Sequence, residues 1–405
     1  MTVKQPSFSF GIEEEYFLVD LETRDLAAHV PTALFAACRR QIGTRFSQEY
    51  MHAQVEVATP VCTDMHQARQ SLFESRQAIA CEAAKYGLAP IAASTHPFAR
   101  WSQQAHADAA RYRSIADEFQ GVGRRMIING LHVHVGIASN AERVRVMNGV
   151  RPILPLLLAL STSSPFWDGE PTGLKSYRTA INNATPRTGI PQYFEDWRDY
   201  QRSIGLLRAA GVIEDGSKIW WDLRPSAKFP TLEMRITDAC PLLEDGLCLA
   251  ALFRCYCRFL SRNPDGRAAL LAGQTGTASD PVVVINENRW RAQRYGIDKG
   301  LIDLPHGNVV PVGELVDDFL DLIEEDAIEL DCVRETEHAR IMIERGTSAD
   351  RQLALYRRLR EQGQTSMTAL RKVVDMLVDE TAAKAAAHRK RSLRHGSDAV
   401  PAVSH

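Results

Sequence analysis

The sequence predicts an α+β fold, in which a mixed or antiparallel sheet is covered by helices on one face and is open on the other. Two observations predict this fold. Several separate strands alternate between apolar residues and Glu, His, Asp or Arg, a pattern typical of antiparallel strands with one buried face. Much of the remaining chain has helical periodicity, above all the last third. A parallel sheet covered on both faces would instead show continuous runs of Val, Ile and Leu.

Five segments carry the strand pattern. In the first, residues 8–20, the even positions are mostly apolar, whereas Glu13 and Glu15 share the opposite face. Glu14 is the exception, because it falls on the apolar face. The other four segments place polar residues opposite their apolar ones in the same way; they are 53–58 with Glu56, 131–137 with His132 and His134, 221–224 with Asp222 and Arg224, and 231–238 with Glu233 and Arg235.

Helical segments follow from periodicity and capping residues, and they are predicted at 64–86, 141–163, 241–262, 314–331, 349–360 and 366–387. The second contains Pro152 and Pro155, so we expect it to be kinked or split. Together these elements predict a single domain over residues 1–387, with a helical C-terminal third that begins near residue 314. Residues 388–405 are basic and then small and polar, so we expect a disordered tail there.

The composition is that of an ordinary globular protein. Of the 405 residues, 45% are hydrophobic and 24% are charged, which excludes collagen-like and disordered chains. The formal net charge of −2 offers no basic surface for nucleic acid or an anionic membrane. The eight cysteines form no CxxC motif, the N-terminus lacks the pattern of a signal peptide, and the apolar run at 153–160 is too short to span a bilayer. We therefore expect a cytoplasmic protein that binds neither nucleic acid nor membrane.

The polar face of the strands carries carboxylates that would repel one another unless cations neutralise them; these are Glu13, Glu15, Glu56 and Glu233. Oxygen-rich ligand sets suit hard cations, so the pattern predicts a site for Mg²⁺ or Mn²⁺. The imidazoles of His132 and His134 would tolerate Mn²⁺ or complete the site. Two alternatives stay open: a solvated edge strand for Glu13 and Glu15, and histidines with ordinary hydrogen-bond partners at positions 132 and 134.

Magnesium sites built from several carboxylates commonly serve phosphates, and arginines then stabilise the transferred group. Arg235 shares a strand face with Glu233 and is the best candidate; Arg224, Arg178 and Lys175 are further candidates. Each could instead form an ordinary ion pair. No common nucleotide-binding loop is present, because the segment 169–176 misses the spacing of a P-loop by one residue.

Seven segments occur in a characteristic order: FGIEEEYFLVD (10–20), VEVATPV (55–61), GLHVHVG (130–136), SSPFWDGEPTGLKSYR (163–178), IWWDLRPS (219–226), TLEMRITD (231–238) and NENRWRAQRYG (286–296). Together they resemble the compact ATP-dependent carboxylate–amine ligases of the YbdK type, which are classed as type 2 glutamate–cysteine ligases. The resemblance runs from residue 8 to residue 385. Each segment alone is moderately specific, but seven in register are highly specific.

The resemblance implies a glutamine-synthetase-like catalytic fold, in which the concave face of a curved antiparallel sheet binds Mg²⁺ and ATP. It also implies the reaction. ATP phosphorylates a carboxylate, such as the γ-carboxylate of glutamate, and an amine such as cysteine attacks the acyl phosphate to give an amide, ADP and phosphate. Relatives of this compact type resemble weak glutamate–cysteine ligases with unsettled physiological substrates, and they tend to be homodimers.

The resemblance also implies roles for individual residues. Glu13, Glu15, Glu56, His132 and Glu233 match metal ligands, and Glu56 also matches a contact to the substrate amine. Arg235 matches the catalytic arginine that faces the transferred phosphoryl group. Arg178 and Arg224 match positions that face the substrates, and together with Arg235 and the further candidate Lys175 they are expected to bind the nucleotide. His134 is not carried over, because more distant relatives often have an amide there, and Arg289, Arg291 and Arg294 receive no individual role.

Two other classes of protein stay open at this point. A pair of histidines two residues apart on a strand also occurs in metal-dependent hydrolases of the amidohydrolase type, which need an eight-stranded α/β barrel. The second alternative is a nucleotide-binding regulator that keeps the site but does not turn over. The barrel requires regular strand–helix alternation, whereas the regulator predicts ATP binding without ADP release.

Overall fold

The computed structural model describes residues 8–104, 110–264, 281–304 and 306–382, without the side chains of 110–116. The tail predicted at 388–405 and the last residues of the final predicted helix lie outside the described residues. In the described part of the chain, the main sheet has seven strands: β1 (Phe10–Asp20), β2 (Phe46–Gln48), β3 (Gln54–Ala58), β4 (Leu88–Ile91), β5 (Leu131–Gly136), β10 (Leu223–Pro225) and β11 (Thr231–Met234).

The strand order is β10-β11-β5-β1-β3-β2, and β4 also pairs with β1. Every pairing in this sheet is antiparallel. The fold class predicted from the alternating pattern is therefore confirmed, and the amidohydrolase alternative is excluded because its barrel needs parallel strands. Two-residue strands form the remaining pairs: β6 (Phe166–Trp167) with β7 (Glu170–Pro171), β8 (Thr188–Gly189) with β9 (Trp220–Trp221), and β12 (Leu301–Ile302) with β13 (Val309–Val310).

The helices are α1 (Thr32–Ile42), α2 (Met65–Ala84), α3 (Ala110–Arg124), α4 (Asn140–Val150), α5 (Leu154–Ser161), α6 (Tyr177–Asn182), α7 (Trp197–Ala209), α8 (Leu243–Arg262), α9 (Val282–Tyr295), α10 (Val312–Glu329), α11 (Val333–Arg345), α12 (Ser348–Glu361) and α13 (Ser366–Thr381). The six predicted helical segments correspond to α2, α4 with α5, α8, α10, α12 and α13. Asp64 caps α2 by accepting a hydrogen bond from the Gln67 amide.

The predicted helix at 141–163 is split into α4 and α5 by a 3₁₀ turn over Arg151–Ile153 that contains Pro152. The combined stretch, Asn140–Ser161, is the one helical segment among the described residues that is long and apolar enough to cross a membrane. However, 89% of its most apolar window is buried inside the protein, as expected of a core helix.

The core lies between the apolar face of the sheet and a helical layer centred on α8. This helix is buried on nearly all sides and packs against α2, α4, α5, α10, α11 and β5. The strands contribute fully buried residues that include Ile12, Val57, Val133 and Met234. Their apolar contact leaves the other sheet face free to carry polar groups.

Glu14, the exception in the strand pattern, points into this core. Its carboxylate accepts hydrogen bonds from the Arg76 guanidinium of α2 at 2.7 and 3.0 Å, and the Tyr16 hydroxyl also donates to it. Arg76 additionally donates to the carbonyls of Cys240 and Pro241, so the sheet, α2 and the segment before α8 meet at one buried ion pair. Both charged side chains are at most 2% exposed. Glu14 is therefore structural, and only its neighbours Glu13 and Glu15 reach the open face.

Candidate active site

The strand register brings polar residues from distant parts of the chain together on the open face. Glu13 lies opposite His132, Glu15 lies opposite Glu56, and Glu233 lies opposite both His134 and Arg224. They line a hollow of about 510 Å³ whose other walls come from 47–49, 217–220 and 226–229. The face that was predicted to gather carboxylates therefore forms a single concavity.

One group of side chains in the hollow has the geometry of a metal site. Glu13, His134 and Glu233 each offer a ligand atom, and these atoms lie within 4.8 Å of one another. The His134 Nδ1 is 2.9 Å from the Thr231 hydroxyl, which leaves Nε2 facing Glu13 at 3.4 Å. A second hydrogen-bond partner commonly orients a metal-ligating histidine in this way. We call these three residues the metal triad.

His134, which is not among the predicted metal ligands, is the histidine of this triad. The predicted ligand His132 lies beside it, with its Nδ1 3.3 Å from Glu13 and 3.4 Å from Arg235. Burial and the Arg235 charge lower the pKa of His132 to about 4, so this imidazole is neutral. Burial opposes ionisation of Glu13, but hydrogen bonds from both histidines hold its pKa well below the usual range.

A second group of carboxylates lies next to the triad, in the same hollow. Glu15, Glu49 and Glu56 line it together, and Glu49 and Glu56 share a hydrogen bond. Burial and the Glu49 charge raise the pKa of Glu15 to about 8, while burial and neighbouring carboxylates raise the pKa of Glu56 well above its usual range. Ionisation of these carboxyl groups is therefore poorly compensated by the protein alone, and a divalent cation bound here would supply the missing positive charge.

Glu49 lines the hollow, but the sequence pattern does not predict it as a site residue. It follows β2, which has three residues and shows too short an alternation to be recognised as a strand. The pairing of Ser47 with Glu56 is what brings Glu49 to the hollow. The sequence offers one signal for Glu49, which lies two positions after Ser47, as alternation along a strand requires. Phe46 is the only clearly apolar residue of that short strand.

The donors present fit a hard divalent cation. The triad offers two carboxylates and one imidazole, and the second group offers three further carboxylates within the same hollow. Carboxylate oxygens with a single nitrogen suit Mg²⁺ or Mn²⁺ better than the sulfur-rich sets of structural zinc sites.

Two arginines neutralise Glu233 on the triad side. Arg224 donates to its carboxylate through Nε and Nη2 at 2.9 and 3.0 Å, and Arg235 pairs with it as well. Burial opposes ionisation of Glu233, but the two guanidinium groups hold its pKa far below the usual range. Arg235 thus lies between Glu233 and His132 and lines the hollow.

Beyond Arg235, the hollow continues into a smaller cavity of about 140 Å³, which we call the inner pocket. It shares Glu15, Glu49, His132, Trp220 and Arg235 with the hollow, and its own walls include Phe119, Met126, Ile128, Arg178, Asn182 and Thr185. The walls that belong to the inner pocket alone therefore combine apolar side chains with the buried cation Arg178 and with neutral polar side chains that include Asn182 and Thr185.

Arg178 is the buried cation of the inner pocket. Its terminal nitrogens donate to the carbonyls of Arg235 and Ile236 at 2.9 and 3.1 Å, and Asp238 lies 3.9 Å away. Its Nε has no hydrogen-bond partner among the described residues. Gly130 makes this position possible, because a Cβ there would lie 2.6 Å from Arg178 Nη2.

Lys175, predicted to contact the nucleotide, lies elsewhere. Its ammonium pairs with Asp298 at 2.6 Å and with Asp350, and it lines neither the hollow nor the inner pocket. The arginines of α9 are also engaged outside the site. Arg289 pairs with Asp222 at 2.5 Å, Arg291 donates to the carbonyls of Lys299 and Gly300, and Arg294 donates to the carbonyl of Gly173.

Comparison with known proteins identifies a family whose sequences match this chain. The profile of glutamate-cysteine ligase family 2 matches residues 9–375. A protein of Rhodospirillum rubrum, provisionally named glutamate–cysteine ligase 2, is 47% identical over 385 residues, which are 94% of this chain and 97% of the relative. A protein of a Jannaschia species with the same provisional name is 48% identical over 94% of this chain and 98% of its own.

Solved structures show the same fold at low sequence identity. The glutamate–cysteine ligase of Francisella tularensis, crystallised with AMP, has a TM-score of 0.66 and 12% identity over 93% of this chain and 89% of its own. A bifunctional glutathione synthetase from Pasteurella multocida has a TM-score of 0.64 and 14% identity over 91% of this chain and 52% of its own.

Proposed function

The chain belongs to glutamate–cysteine ligase family 2 and is a ligase, and from this membership we propose that it is an ATP-dependent carboxylate–amine ligase with glutamate–cysteine ligase activity. The observation that carries the proposal is the gathering of five glutamates and two histidines in one hollow beside Arg224 and Arg235. Such a set serves phosphoryl transfer, in which positioning and charge neutralisation do most of the work. The AMP bound to the Francisella tularensis relative supports an adenine nucleotide as substrate.

The hollow and the inner pocket suggest where each substrate binds. The metal triad lines the hollow, whereas Arg178, Asn182 and Thr185 line only the inner pocket. We therefore assign the triphosphate to the triad side and the acid substrate to the inner pocket. The reacting carboxylate and the γ-phosphate then meet near Arg235 and His132, which line both cavities.

In the first step, a carboxylate oxygen of the acid bonds to the γ-phosphorus and the bond to the ADP oxygen breaks. Bound at the carboxylates, Mg²⁺ or Mn²⁺ would neutralise phosphate charge and orient the phosphate oxygens. Arg235 stabilises charge on the transferring group, and Arg224 holds Glu233 in place. Arg178, which lines the inner pocket, is assigned to a second anionic group of the acid substrate.

In the second step, the amine nitrogen bonds to the carbonyl carbon of the acyl phosphate, and inorganic phosphate leaves. The amine loses a proton as it becomes an amide. Glu56 contacts the amine in this proposal and, in its ionised form, is the carboxylate of the hollow assigned to take that proton. No cysteine of the protein takes part, since the described cysteines near the sheet are buried and unreactive.

Replacement of Arg235 by alanine is expected to lower kcat by roughly two orders of magnitude and to change the KM for ATP much less, because the guanidinium acts on the transition state. Glu233 keeps its bidentate contact with Arg224, so the fold is retained. Steady-state kinetics with ADP release as the readout measures both constants. Arg357→Ala, an exposed residue on α12, is the control. A loss confined to KM would contradict the role of Arg235.

Replacement of Gly130 by alanine is expected to raise the KM for the acid substrate and to leave the KM for ATP nearly unchanged. The new Cβ would lie 2.6 Å from Arg178 Nη2 and 2.8 Å from His132 Nε2, so Arg178 must shift. A misplacement on the order of 1 Å can lower efficiency by up to about a hundredfold. Gly205→Ala is the matched control, since no atom lies within 4 Å of a Cβ there. Equal effects on both substrates would argue against the assignment of the inner pocket.

The experiment that tests the proposed function is an ADP-release screen of glutamate and related acids against a panel of amines, with ATP and Mg²⁺. A matched acid and amine should give stoichiometric ADP, phosphate and an amide that mass spectrometry identifies. If nucleotide binds but no pair of substrates releases ADP, the chain is a nucleotide-binding regulator and the proposal is wrong.

The domain extent, cellular location, oligomeric state and partners of the protein are also proposals. We propose that residues 1–387 form one ligase domain, that the protein works in the cytoplasm, and that it is a homodimer acting on small molecules, without nucleic acid or membrane. The support is the family match across residues 9–375 and the net charge of −2. Light scattering of the purified protein tests the homodimer.

A further inference from the structure

The loop between β10 and β11, residues 226–230, forms the rim of the hollow on the side away from the inner pocket. Lys228 and Phe229 at its tip line the hollow beside the metal triad, and neither lines the inner pocket. We propose that this loop is the nucleotide clamp of the site, with Lys228 bound to the triphosphate and Phe229 stacked on the base. This inference rests on the proposed function and extends it to residues without an assigned role.

The loop is held in a defined shape. The Ser226 hydroxyl accepts the backbone amides of both Lys228 and Phe229 at 3.3 Å, and the Thr231 amide donates to the Phe229 carbonyl at 2.8 Å. From the other side, the Pro230 carbonyl accepts the Ile137 amide at 2.9 Å. Because these bonds fix the tip, its two side chains are presented at the rim rather than dispersed in solvent.

Phe229 is unusual for a loop residue next to a polar cavity. Its side chain is 58% exposed, and its ring lies edge-on to the His134 ring at 6.4 Å between centroids. His134 belongs to the triad that would hold the phosphates, so the phenyl ring lies just outside them. A purine ring extending outward from the triphosphate would cover this apolar surface.

Lys228 supplies the charge that the rim needs. The inner wall of the hollow carries five carboxylates, and Arg224 is committed to Glu233 and to backbone carbonyls. Among the described residues, no carboxylate lies within ion-pair distance of the Lys228 ammonium. It is therefore free to bind the phosphates that project from the triad toward the rim.

The two contacts can be separated by ligands that share phosphates but differ in the base. The dissociation constants of a non-hydrolysable ATP analogue and of tripolyphosphate, both with Mg²⁺, would be measured by calorimetry on the full chain. Lys228→Met should weaken both ligands by about tenfold or more. Phe229→Ser should weaken the analogue by about tenfold and leave tripolyphosphate within twofold, as base stacking predicts. Phe229→Tyr should bind like the wild type.

Lys299→Met, a change at an exposed lysine after α9, controls for loss of a positive charge, and thermal melting checks that each variant is folded. Equal weakening of both ligands by Phe229→Ser, or no weakening by either variant, would overturn the clamp. Failure of the wild-type protein to bind the ATP analogue would also overturn the clamp. Because binding is measured without turnover, an absence of ADP release in the substrate screen would refute the proposed function and leave this result intact.

Discussion

Replacement of Glu13 by glutamine is expected to abolish Mg²⁺-dependent ADP formation while the protein stays folded. Glutamine keeps the size of the side chain and removes the charge that the metal triad needs. The two groups nearest to Glu13 are His132 and His134, so no buried arginine is left without its partner. Loss of metal-derived stabilisation worth several kcal/mol corresponds to a fall in kcat/KM of at least about a thousandfold.

The measurement for Glu13→Gln combines ADP release with thermal melting. Glu22→Gln is the matched control, since Glu22 is exposed just beyond the end of β1 and does not line the hollow. Activity near that of the wild type in Glu13→Gln would contradict the metal assignment. Loss of activity together with loss of the folded state would show a structural role instead.

Replacement of Glu14, the next residue, should affect the stability of the fold, in contrast to replacement of Glu13. Glu14→Gln is expected to destabilise the fold by about 3–5 kcal/mol, because it leaves the buried Arg76 guanidinium without its counter-charge. The loss would appear as a lower midpoint of urea unfolding. Replacement of both partners by apolar residues, Glu14→Leu with Arg76→Met, should recover much of the stability, because no unpaired charge then remains.

An unchanged unfolding midpoint in Glu14→Gln would contradict this assignment. If the variant were stable but inactive, Glu14 would belong to the site rather than to the core. The pair of predictions is informative because Glu13 and Glu14 are adjacent in sequence and face opposite sides of one strand.

The open face could be predicted from sequence because strand alternation has a period of two. The positions of Glu13, Glu15, Glu56 and Glu233 relative to the apolar residues determine their side of the sheet, whatever the strand order. The order itself could not be predicted, since β1 pairs with strands 40 to more than 100 residues away in the chain. The short strands β2 and β4 could not be predicted, because three or four residues show no reliable alternation. Glu49, which follows β2, was missed for this reason.

The sequence also could not show which of the two histidines lies with Glu13 and Glu233 in the metal triad. His132 and His134 share a face, and only the register shows that His134 lies opposite Glu233 and hydrogen-bonds Thr231. Lys175, a further candidate for a cation that faces the transferred group, instead forms ion pairs with Asp298 and Asp350, which join segments far apart in sequence. Helices α1, α7 and α11 were not predicted, although their apolar residues line one face at least as clearly as those of the predicted helix α2.

The central claim is that the carboxylates of the hollow bind divalent cations against a triphosphate. Its most direct test is Mn²⁺ binding by paramagnetic resonance from about pH 6 to about pH 9, with and without a non-hydrolysable ATP analogue. Metal ions must displace protons from Glu15, whose pKa is raised to about 8 by burial and by Glu49, so affinity should rise with pH and binding near pH 7 should release protons. The analogue should tighten binding, and Glu13→Gln should weaken it. Mn²⁺ affinity that is independent of pH, of the analogue and of Glu13 would contradict the account.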